Sequence, residues 1–73
     1  MKDFKVKKWH HEDLYFVEFY KVFNNGIKLE ITQSCKEEKV ICTTYSLVIN
    51  REYREIAIEN EKELIDLIKI LDK

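Results

Sequence analysis

Proline is absent from this 73-residue chain, and glycine occurs once, as Gly26. That scarcity excludes flexible linkers, polyproline segments and the glycine-rich loops that cradle phosphate. No P-loop, dinucleotide fingerprint or nucleophile elbow can be written with a single glycine. Long apolar runs are also missing: nothing approaches the ~20 residues of a membrane span, and the opening MKDFKV holds no signal-type apolar core. A cytoplasmic protein with no membrane partner is expected. Cysteine is limited to Cys35 and Cys42, whose spacing matches no metal site. Without a secretory signal, two reduced thiols are expected rather than a hairpin disulfide.

Charge of one sign is lacking too. Thirteen basic against fourteen acidic side chains leave a net charge of −1, so the chain has no general attraction for nucleic acid or anionic lipid. His10-His11-Glu12-Asp13 is the one cluster with metal-ligating residue types. Neighbouring residues of a strand point to opposite faces, so the two histidines do not converge on an ion, and a solvated turn is expected. Glu52, Glu55, Glu59, Glu61 and Glu63 lack calcium-loop spacing. No catalytic residue, metal, cofactor or small-molecule substrate is assigned. A chain this short also leaves little room for a ligand pocket of the usual ~300–1,000 Å³.

What the chain does have is apolar β surface. Hydrophobic residues make up 45% and charged residues 37%, the balance of one small folded domain spanning residues 1–73. Phe4 and Val6 alternate with Lys5 and Lys7 in a first strand over residues 3–10, whose lysines suit a protected sheet edge. Leu14 to Phe23 is the densest β-forming block, long enough to require a bulge or strong twist. Asn24-Asn25-Gly26 is a hairpin signal, followed by a strand over Ile27–Gln33. A polar turn over Ser34–Glu38 leads to a strand over Lys39–Ile49, with Ile41, Tyr45, Leu47 and Ile49 facing inward. A short strand from Tyr53 to Ile58 completes four or five strands. Asn60 with Glu63 then has the form of a capping box opening one helix, whose inward face carries Leu64, Ile65, Leu67, Ile68 and Leu71. The fold expected is α+β: an antiparallel meander with one C-terminal helix on one face.

The hairpin register decides which side of Leu14–Phe23 is core. A two-residue Asn25-Gly26 turn would pair Tyr20 with Ile31. A three-residue loop pairs Phe23 with Ile27 and Phe19 with Ile31, and collects Tyr15, Val17, Phe19 and Phe23 on the core face. The second is preferred because it puts more apolar bulk on one side. Phe16, Glu18, Tyr20 and Val22 then lie on a face that a single helix cannot reach, joined by Trp9 from the first strand. This is the candidate protein-binding surface, for another protein or a second copy in a homodimer. The function expected is a small non-enzymatic binding module or inhibitor, of the kind phages and plasmids encode as accessory proteins. The alternative is single-stranded nucleic-acid binding by Lys5, Lys7, Lys8 and Trp9 with the sheet aromatics.

Overall fold

The computed structural model describes residues 3–72. Five strands follow one another in sequence order: β1 (Lys5–His11), β2 (Leu14–Val22), β3 (Lys28–Lys36), β4 (Lys39–Ile49) and β5 (Glu52–Ile56). Each pairs antiparallel with the next, so the sheet order is β1-β2-β3-β4-β5, and β1 and β5 are its edges. One helix, α1 (Glu61–Leu71), follows. This is the expected α+β meander, with five strands.

The three-residue register is the one adopted. Phe19 pairs with Ile31; the Phe23 amide donates to the Ile27 carbonyl at 2.9 Å, and the Gly26 amide donates to the Phe23 carbonyl at 2.9 Å. Gly26 takes φ +85°, the left-handed position such a loop requires. Asn25 Oδ1 accepts from the Ile27 amide at 3.0 Å and closes the turn.

The core lies between α1 and the odd-numbered side of β2 and β3. Phe23, Leu29, Ile31 and Leu71 are buried, and Phe4, Phe19, Tyr45, Leu47, Leu64, Leu67 and Ile68 pack around them. The helix starts as expected, since Asn60 Oδ1 accepts from the Glu63 amide at 2.9 Å. The return bond of the capping box goes one residue further back, from the Glu59 amide to Glu63 Oε2 at 3.4 Å. At the other end Lys21 Nζ lies 3.8 Å from the Asp72 carboxylate and 3.9 Å from that of Asp3, tying β2 to both ends of the chain.

Several expectations are corrected. An eleven-residue helix is about 16 Å long, whereas nine-residue β2 runs about 30 Å. Its first turn sits over Phe19, Ile31 and Tyr45, so Tyr15 and Val17, expected in the core, lie beyond it and are only half-buried. Ile65, expected inward, is 43% exposed. The bulge is in β4 and not in β2: Ser34 pairs with Cys42 and Cys35 with Val40, leaving Ile41 as the extra residue. Having no partner on β3, Ile41 is 58% exposed instead of inward. β3 runs on to Lys36, so the turn expected over Ser34–Glu38 shrinks to Glu37-Glu38. His10 and His11 belong to β1, and only Glu12-Asp13 turn.

Glu37 (φ 51°) and Glu38 (φ 66°) both occupy the left-handed region, as do Asn50 and Arg51 in the next hairpin. Non-glycine residues there carry a penalty of about 1–2 kcal/mol each. Replacing Glu37-Glu38 by Asn-Gly is therefore expected to stabilise the fold by about 1 kcal/mol, raising the thermal midpoint by about 4–8 °C. An unchanged or lower midpoint would contradict this turn geometry.

Candidate protein-binding face

The even-numbered side chains of β2 and β3 project from the side of the sheet away from α1. Register places β1 residues Lys5, Lys7 and Trp9 beside Tyr20, Glu18 and Phe16. It places Glu30 and Lys28 beside Tyr20 and Val22, and Ser46 and Val48 beyond them on β4. Tyr53 and Glu55 complete the rows on β5. All five expected protein-binding residues, Trp9, Phe16, Glu18, Tyr20 and Val22, thus share one face. Of the lysines expected to act together, Lys5 and Lys7 are on it. Lys8 pairs with Val17 and points to the helix side, so the four-residue basic site does not assemble.

Aromatic packing organises the β1 side. The Trp9 and Phe16 rings stack with centroids 5.3 Å apart and planes inclined by 12°. Trp9 is 37% exposed and Val22 61%, while Phe16, Glu18 and Tyr20 are half-buried. Beside them the face is smaller and more polar: Thr32 and Ser34 on β3, and Cys42, Thr44 and Ser46 on β4.

At the centre is an ion pair the sequence reading did not single out. Lys28 Nζ is 2.8 Å from Glu30 Oε2 and 4.8 Å from the centroid of the Tyr20 ring. Glu30 is 7% exposed, the only buried charged residue among those described. Residues two apart on a strand share a face, so Lys28 lies along the sheet, covers the Tyr20 ring with its ammonium and caps the carboxylate. The hydrogen bond to Glu30 raises the Lys28 pKa, partial burial opposes it, and the charges of Glu30 and Glu18 add to the rise. The clue was in the register: once Phe19 opposes Ile31, Tyr20 has to oppose Glu30.

The cysteines fall on opposite faces, because Cys42 sits across from Ser34 while Cys35 is the next residue along. Both are free. The hollows of the surface are shallow. The two larger, about 300 and 380 Å³, lie against α1 on the other side of the sheet. A smaller one of about 200 Å³ lies between Asp3, Lys5, Tyr20, Lys21 and Val22. Among the described residues no helix is long and apolar enough to cross a membrane. His10 packs edge-on against Tyr15 at 4.5 Å on the helix side, and no group of three His, Cys, Asp or Glu among the described residues could hold a metal ion.

The fold and this face define a small antiparallel α+β domain with one unroofed sheet surface. Comparison with known families, curated proteins and solved structures finds no match to the chain.

Lys28→Met leaves Glu30 without its counter-ion. It should destabilise the fold by about 2 kcal/mol, less than for a fully buried pair because Lys28 is partly exposed. Replacing both, as Lys28→Met with Glu30→Val, should stay within about 1 kcal/mol of the parent, since an apolar pair restores the balance. The raised Lys28 pKa means its contribution is fully present below the unfolded-lysine value near 10.4. It is lost as pH rises through the folded value, a loss that denaturation on the alkaline side of that value reads.

Proposed function

We propose that this chain is a non-enzymatic protein-binding module that acts through the helix-free face carrying Trp9, Phe16, Glu18, Tyr20 and Val22. The observation that carries this reading is the stacked Trp9–Phe16 pair, continued by Tyr20 and Val22, on a face that no element among the described residues covers. Large, stiff aromatic side chains give contact area at low entropic cost, which is why they anchor interfaces. An inhibitor or accessory protein that works by occupying one target needs no more than such a surface.

Nucleic-acid binding is the second reading, and one observation favours it. Lys5, Lys7 and Trp9 share the face with Phe16 and Tyr20. Against it, Glu18 sits directly opposite Lys7 and Glu30 holds Lys28, so carboxylates line the path a phosphate backbone would follow. Oligonucleotide binding at low salt that weakens in Lys5→Ala/Lys7→Ala, and not in Lys8→Ala, would favour this reading over the first.

Tyr20→Glu tests the main reading. The variant should fold, losing no more than about 1 kcal/mol from the cation–π contact, and should fail to bind whatever the parent binds. If it unfolds, the face is structural, and the reading is wrong.

A further inference from the structure

The geometry points to a second copy of this chain as the occupant of the helix-free face, packed sheet to sheet about a twofold axis running along β3. This rests on the reading of that face as a protein interface, and three independent features carry it.

The first is area. The chain exposes 5833 Å², whereas a compact monomer of 8.9 kDa should expose about 4,800 Å². The surplus of about 1,000 Å² is spread over an elongated molecule of 39 × 26 × 22 Å and is large enough to supply one side of a standard interface, about 800 Å² per partner. The radius of gyration agrees: 12.8 Å against about 11 Å for a compact chain of this length.

The second is charge. On this face Lys5, Lys7, Lys28, Lys36 and Lys39 stand against Glu18, Glu30 and Glu55, with Asp13 holding Lys36. A surface so nearly balanced attracts neither a strongly basic nor a strongly acidic partner. It is polarised, however: Lys5 and Lys7 are on edge strand β1, and Glu55 is on edge strand β5.

The third is shape. Trp9, Phe16 and Tyr20 make a ridge along β1 and β2, while Cys42, Thr44 and Ser46 make a low shelf along β4. A symmetric interface must match each surface to itself. An axis across the strands would put ridge on ridge and the β1 lysines on one another. An axis along β3, the middle strand, lays β1 over β5 and β2 over β4 of the second copy, with residues of the same row facing. Tyr20 then meets Ser46, Phe16 meets Cys42, Val22 meets Val48, and Lys5 meets Glu55 of the second copy. At the axis Lys28 and Lys36 of each copy face their own counterparts, already neutralised within the copy by Glu30 and Asp13. The arrangement is an aligned sandwich of two sheets about 10 Å apart.

Charge exchange between Lys5 and Glu55 tests this. Both side chains are exposed and make no ion pair among the described residues. They sit on opposite edges of the sheet, about 19 Å apart at ~4.8 Å per strand, too far to interact within one copy. Sedimentation equilibrium of the full chain from micromolar to millimolar should show a dimer. Lys5→Glu and Glu55→Lys should each weaken it at least about tenfold at unchanged circular dichroism, and the double variant should restore it. A parent that stays monomeric overturns the inference, and leaves the binding-module reading standing if Tyr20→Glu still abolishes capture of a different partner. A dimer that ignores Lys5→Glu, Glu55→Lys and Tyr20→Glu alike forms through another surface and overturns the inference.

Discussion

One short helix cannot roof a five-stranded sheet, and the rest of the structure follows from that constraint. α1 covers Phe19, Phe23, Leu29 and Ile31 and leaves the far half of its own face, with Tyr15 and Val17, half-exposed. Among the described residues four apolar side chains make up the buried core. With no disulfide to brace it, the sheet depends on register and on what lies on its other side.

That other side is held by side chains lying flat along it. Leu29, fully buried beneath α1, is flanked in sequence by Lys28 and Glu30, which point the opposite way and close on each other. The start of β3 is therefore sealed on one side by packing and on the other by an ion pair under which almost no carboxylate surface remains. Lys28 also shields one face of Tyr20, and Trp9 shields Phe16. These contacts let a strand that is apolar on both faces remain in water, without removing the rings from reach of a partner.

Much of this was legible in the sequence. Asn24-Asn25-Gly26 and the bulk rule for Phe19 and Phe23 set the register, and Asn60 marked the helix start. The Glu37-Glu38 turn was not legible, because neither residue carries a preference for positive φ. Nor was the bulge at Ile41, where periodicity alone keeps a strand in phase and predicts an inward side chain. Ile65 and Val17 were misplaced because apolar spacing shows which side of an element can be buried but not how far its roof extends. Trp9, Phe16, Glu18, Tyr20 and Val22 share one face because one alternation governs them all. Lys8 was grouped with Lys5 and Lys7 by charge, although the same alternation sends it to the other side. Lys28-Leu29-Glu30 has the pattern of a strand with one wet face, and the burial of Glu30 comes from Lys28 folding over it.

A sheet with a ridge on one flank, a shelf on the other and opposite charges at its two edges supports the proposed pairing with a copy of itself. The most direct measurement is a nuclear Overhauser spectrum filtered for contacts between isotope-labelled and unlabelled copies. The account predicts intermolecular contacts from the Phe16 and Tyr20 rings to Cys42 and Ser46, and from Val22 to Val48. Intermolecular contacts confined to Val40, Ile65 and Ile70 on the helix side, or none at all, would contradict it.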